Sequence, residues 1–177
     1  MPSCLLDPWR CALTIRIAYL TDHPECIAML AEWHFRQWSY LSPGDSPERR
    51  TAMLRSHSGR RQIPTTFVAL ADVVPIGCAS LIEYDMDTRM HLSPWIASVY
   101  VDPEHRRRGT GTALVQRIVD EAKALGVSTL YLYTPDREGF YSHLGWQVLE
   151  RTLYRGYQQV VMSFCMDSHR AGQSPRA

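Results

Sequence analysis

Apolar and polar positions change their period along the chain, and each change marks an element. Residues 13–18 alternate around Ile15 and Ile17, the two-residue period of a half-buried strand. Ile27, Leu30, Ala31, His34 and Trp38 then recur at the spacing of one helical face. Asp22 with Glu25 three residues on predicts a capping box ahead of that helix. Trp33, His34 and Trp38 invite a ligand reading, but aromatic side chains at helical spacing are more often core. A loop at 41–45 leads to Ser46-Pro47, an N-cap and a first-turn proline, which open a second helix ending near 57–59. Strands follow over Thr65–Ala71, 76–84 and Trp95–Val101. A turn at 72–75 joins the first two, and a polar loop at 85–94 joins the last two. Leu114, Val115, Ile118, Val119, Ala122 and Leu125 return to the helical period, and Gly126 is placed to cap that helix in the left-handed conformation. A strand at 129–133, a short helix at 138–144 capped by Gly145, and a hairpin of Gln147–Tyr154 with 158–164 complete the series.

The order is strand, two helices, three strands, helix, strand, helix, two strands. Hairpins with one strand–helix–strand crossover make an α+β pattern with a mixed sheet. A chain of 177 residues predicts one domain, placed at 13–166, with an N-terminal arm at 1–12 and a Ser/Gly/Pro-rich tail at 167–177. Residues 1–12 are too short and insufficiently apolar for a signal peptide. A formal net charge of +1 gives no reason to expect a nucleic-acid or membrane partner, and no apolar run approaches membrane-spanning length. The five cysteines form no C-x-x-C pair and the seven histidines no H-E-x-x-H. The expectation is therefore no metal site, no disulfide framework, and reduced thiols in a cytoplasmic protein.

The chemistry concentrates in residues 98–114. A buried strand stops at Pro103, which has no N–H for a ladder. Arg106, Arg107 and Arg108 follow, then Gly109-Thr110-Gly111-Thr112 at the start of the helix. The first N–H groups of a helix lack internal acceptors, and the helix dipole adds partial positive charge there. Missing side chains at Gly109 and Gly111 let an anion approach the backbone, and the arginines add permanent charge. The ligand indicated is a phosphate or pyrophosphate. A P-loop would need Lys-Ser or Lys-Thr after its second glycine, where Thr112-Ala113 stands. A dinucleotide fingerprint would need a third glycine where Leu114 stands.

What remains is R-x-x-G-x-G on Arg106, Gly109 and Gly111, preceded by V-x-V-x-P. It resembles the acetyl-CoA pyrophosphate loop of the GNAT family of N-acetyltransferases, and the element order resembles that family over most of the chain. The resemblance implies a central mixed, mostly antiparallel twisted sheet of about seven strands flanked by about four helices. It also implies a bulge in the strand before the loop, whose backbone groups at Val99, Tyr100 and Val101 hold the pantetheine and polarise the thioester. The cofactor-binding set implied is thus Val99, Tyr100, Val101, Arg106, Arg107, Arg108, Gly109, Thr110, Gly111 and Thr112. Thr134 joins it as the one donor near the place where many members carry Asn, since Thr134-Pro135-Asp136 stands here.

A second resemblance is Phe140-Tyr141-Ser142-His143-Leu144-Gly145-Trp146 to the family's F-Y-x-x-x-G-F segment. It implies that Tyr141 protonates the leaving thiolate, a task open to a phenol with pKa near 10; His143 gets no role. Family members often use a Glu acting through water as base, from a neighbouring strand or loop, and Glu83, near the end of its strand, is the candidate. Asp85 and Asp87 stand near it to attract a cationic amine, and Trp95 stands to wall the acceptor site. The activity implied is acetyl-CoA-dependent transfer to a primary amine, by direct attack on the thioester in a ternary complex. The acceptor class stays open between a small molecule and a peptide amine, including a protein N-terminus or lysine, and a homodimer is a family-level expectation only. A non-catalytic acyl-CoA sensor or interaction module on the same fold is the alternative.

Overall fold

A computed structural model describes residues 15–166. The arm expected at 1–12 and the tail expected at 167–177 lie outside the described residues. The elements are β1 (Ile15–Tyr19), α1 (Ile27–Trp38), α2 (Pro47–Ser56), β2 (Thr65–Ala71), β3 (Val74–Ile82), β4 (Trp95–Val101), α3 (Thr110–Ala124), β5 (Thr129–Thr134), α4 (Glu138–His143), β6 (Gln147–Tyr154) and β7 (Tyr157–Cys165). Their order is the one the hydrophobic pattern predicts. All seven strands join one sheet in the order β1-β2-β3-β4-β5-β7-β6. Every neighbouring pair is antiparallel except β4 and β5, which α3 connects as a crossover.

Each face of the sheet is covered differently. Leu114 and Ile118 of α3 are fully buried against Phe67, Ala69, Ile96, Leu130 and Leu132, and α4 adds Tyr141 to the same cluster. Each large apolar side chain buried this way contributes about 1.5–3 kcal/mol. On the opposite face α1 and α2 pack Leu30, Ala31 and Leu54 over Val68, Leu70 and Cys78. Further along that face the loop after β3 folds Met86 and Leu92 over Trp95, Tyr154 and Val161.

The caps follow the sequence with one exception. Ser46 Oγ accepts from the Arg49 amide at 3.2 Å, with Pro47 in the first turn. Gly126 and Gly145 take φ of +76° and +89°, and the next amides reach back to Ala122 and Tyr141 at 3.0 and 3.1 Å. The capping box at Asp22 and Glu25 does not form. Pro24 splits the entry into two short 3-10 turns, Glu25 turns to His23 Nδ1 at 3.0 Å, and Asp22 pairs with Arg60. The turn expected at 72–75 is shorter than expected, because Asp72 takes φ of +56° and β3 starts at Val74.

Candidate active site

β4 carries a bulge. Cys78 opposes Tyr100 and Ser80 opposes Ala97, so the single residue Ala79 faces both Ser98 and Val99. Ser98 takes φ of +53°. The extra residue rephases the strand. Ile96 packs on the α3 face, and beyond the bulge Val99 and Val101 pack there too, while Tyr100 turns to the α1 side. β4 also leaves β5 almost at once: Trp95 opposite Tyr131 is the one register pair between them, held by the Tyr131 amide on Pro94 O at 3.0 Å. The β5-facing edge of β4 beyond Trp95 therefore presents backbone groups that no strand pairs.

The open edge leads to the start of α3. Arg106 Nε donates to Val101 O at 2.8 Å, and its guanidinium carbon lies 5.9 Å from the Tyr100 ring centroid. Arg107 at φ +59° and Gly109 at φ +83° turn the chain into the helix. Gly109 O takes the Ala113 amide at 2.9 Å, so the amides of 110–112 precede the first intrahelical bond. Arg106, Arg107 and Arg108 are exposed around this turn, as are Gly109 and Thr112. Thr110 is 2% exposed, and its buried Oγ1 has no hydrogen-bond partner. Gly109 is required by its backbone angle. Gly111 is not, because a β-carbon there would meet Phe140 Cζ at 3.5 Å and Val101 Cγ2 at 3.7 Å, ordinary contacts.

Those contacts put α4 beside the turn. Tyr141 is buried, with ring centroids 4.9 Å from Phe140 and 6.0 Å from Trp146. Burial pushes its phenol above the usual tyrosine range, against a smaller opposing pull from Arg137, so it stays protonated through any ordinary assay pH. Thr134 ends β5, buried, with Oγ1 accepting from the Arg137 amide at 3.1 Å. That bond shapes the turn into α4 and leaves the threonine proton available. His143 bonds through Nδ1 to Gly139 O at 2.6 Å within its own helix.

The far end of the gap is acidic and aromatic. Glu83 is exposed just past β3, and its carboxylate beside Tyr84 lifts that phenol above the usual tyrosine range. Asp85 is half-buried beside Tyr133, and burial pushes its carboxyl up to about 7, against the pull of Arg155 and Arg50. Burial and then the Asp85 charge push Tyr133 up in turn. Both arginines have other partners: Arg50 holds Asp45 at 2.8 Å, and Arg155 reaches Asp87 at 3.5 Å and Leu41 O at 3.1 Å. Trp95 does not line this end. It is wholly buried, donates to Leu92 O at 2.7 Å, and backs Tyr131 and Tyr133 from below. Trp33 and Trp38, both half-buried, pack on Tyr100. Nothing in the pattern of the sequence distinguishes Asp85 from its neighbours, because burial and distant arginines set its environment. No cluster of three or more His, Cys, Asp or Glu suited to a metal ion occurs among the described residues.

Residues 27–146 match the model of the acetyltransferase (GNAT) family, and the chain belongs to that family. Solved structures of similar fold include yncA of Salmonella typhimurium, a putative acetyltransferase with acetyl-CoA. It has 20% identity and a TM-score of 0.64 over 93% of this chain and 98% of that one. Aminoglycoside 6'-acetyltransferase type Ii has 19% identity and a TM-score of 0.68, over 92% and 99%. NAA60 of Arabidopsis thaliana, in complex with a bisubstrate analogue, has 14% identity and a TM-score of 0.65, over 87% and 99%. No curated protein matches the chain.

Proposed function

We propose that this chain transfers the acetyl group of acetyl-CoA to a primary amine by direct attack within a ternary complex. One observation carries the reading: the unpaired edge of β4, from its bulge at Ser98, runs to the uncommitted amides at the start of α3. In this reading the pyrophosphate sits on the amides of 109–112 with Arg106, Arg107 and Arg108 around it. Pantetheine lies along Val99, Tyr100 and Val101 as an added strand, with Thr134 as a further donor. The Val99 N–H meets the thioester oxygen, where negative charge grows in the transition state.

The acceptor amine arrives from the Asp85 end and must lose a proton before it attacks. Of the nearby carboxylates, Asp85 is the better tuned, since a base near 7 is matched to neutral pH; Glu83, exposed beside Tyr84, is the alternative. The amine nitrogen bonds to the carbonyl carbon and the carbon–sulfur bond breaks. The thiolate takes a proton from Tyr141, the nitrogen's second proton restores the phenol, and the proton held by the base passes to solvent. The products are an N-acetylated amine and free CoA thiol. The acceptor is a small-molecule or peptide amine, and a cytoplasmic location and a possible homodimer belong to the same reading.

The test is thiol release from acetyl-CoA across a panel of aliphatic amines, polyamines, amino acids, aminoglycosides and peptide N-termini, with product mass as confirmation. Amine-dependent release with one acetyl group gained supports the reading. Binding of acetyl-CoA without release for any amine would leave a sensor on the same fold instead.

A further inference from the structure

A buried histidine and a buried cysteine end on the bulge of β4, and the reaction just described uses neither. His34, on α1, is 0% exposed, and its Nε2 lies 3.2 Å from Cys78 Sγ. Cys78, on β3, is also 0% exposed, and its Sγ donates to Ser98 O at 3.7 Å. Burial raises the thiol well above its usual range, so it keeps its proton, and burial with Arg50 nearby lowers the imidazole to about 3, so it stays neutral. The thiol has one proton, and the carbonyl can only accept. The sulfur therefore receives its bond from the His34 Nε2–H and passes its own proton toward Ser98 O. That tautomer leaves Nδ1 as the bare nitrogen, in keeping with its lack of any partner.

The bond matters because of where it ends. A bulge residue is left out of the regular ladder, and a non-glycine residue at φ +53° persists only when its surroundings hold it. The Ser98–Val99 peptide is planar and trans, so its C=O and N–H point in opposite directions. A carbonyl drawn toward Cys78 on β3 turns the Val99 N–H away from β3, to the side where β5 has diverged. We infer that Cys78, held by His34, is a positioning residue that aims the Val99 N–H at the thioester carbonyl. The inference rests on the proposed placement of the thioester in the gap between β4 and β5.

Cys78→Val fills similar space without a donor, and Cys78→Ser keeps one. Three quantities separate aim from mere packing: kcat, the Kd for acetyl-CoA, and the carbonyl stretch of bound carbonyl-labelled acetyl-CoA. Cys78→Val should lose roughly ten- to a hundred-fold in kcat with Kd unchanged, the loss expected for a misaimed donor. Its carbonyl band should move toward that of free acetyl-CoA, and Cys78→Ser should recover most of both changes. Should valine fail to fold, Cys78→Ala carries the same comparison. Native kcat and a native carbonyl band without the thiol would overturn the inference, as would equal losses in the serine and valine variants. A native chain that neither binds acetyl-CoA nor releases thiol would overturn the functional reading itself, and this inference with it.

Discussion

Asp85→Asn should make this protein more stable and nearly inactive at once. The native carboxyl rises from 3.8 to about 7 because burial penalises its charge. For a fully dry site that rise corresponds to about 4 kcal/mol. Asp85 is only half-buried, so solvent screening reduces the figure to about 1–2 kcal/mol. The folded pKa lies above the unfolded one, so the folded chain binds the proton more tightly. Stability from this group is highest at low pH and falls as pH rises from about 4 to about 7. Asparagine carries no charge to bury. Urea unfolding at pH 8 should therefore show the variant stabilised by about 1–2 kcal/mol, with the gain shrinking toward zero near pH 4. Turnover should fall roughly 10²–10⁴-fold if the carboxylate takes the amine proton, and the native rate should climb through about pH 7. A variant equally stable at pH 8, or one that keeps its turnover, would refute the assignment. A larger loss in Glu83→Gln than in Asp85→Asn would move the base to Glu83.

Tyr141→Phe keeps the ring contacts with Phe140 and Trp146 and removes a hydroxyl that bonds to no described residue. Its melting temperature should hold while turnover at saturating substrates drops roughly 10²–10⁴-fold; full turnover would make the residue structural. Because burial raises this phenol, the native pH profile should show no high-pH limb from Tyr141, and a limb near 10 abolished by the phenylalanine would contradict the buried environment. His34 gives the opposite pH signature to Asp85: lowered from 6.5 to about 3 by burial and then Arg50, it stabilises the fold above 6.5 and loses that contribution as pH falls toward 3. His34→Leu should flatten the fall in unfolding free energy below pH 6.5, and an unchanged slope would mean the imidazole is not buried neutral.

Much of the fold was legible because short-range signals agreed. The periods of α1 and α3, the Ser46-Pro47 start and the glycine caps at 126 and 145 all act within a few residues, and the structure keeps each of them. The capping box failed on a local conflict, since Pro24 stands inside the turn that Asp22 and Glu25 would have to close. The functional geometry was less legible because it is tertiary. Alternation along Trp95, Ala97, Val99 and Val101 places all four on one face, and only pairing with β3 reveals the bulge that turns the last two over. Only the sheet as a whole reveals the early parting of β4 from β5. Asp85 is set apart by burial, against the opposing pull of Arg155 and Arg50, both distant in sequence, and Cys78 meets His34 across 44 residues.

The central claim is that acetyl-CoA is held by the turn at the head of α3. Calorimetric titration of acetyl-CoA into the native chain and into Gly111→Val tests it most directly. A β-carbon at Gly111 meets Phe140 and Val101 only in ordinary contact, so the variant should fold, with an unchanged circular dichroism spectrum as the check. The native chain should bind saturably, and the variant at least about tenfold more weakly, a loss of about 1.4 kcal/mol or more, because the valine occupies the approach of the pyrophosphate. No binding by the native chain at millimolar ligand, or equal binding by both chains, would contradict the account.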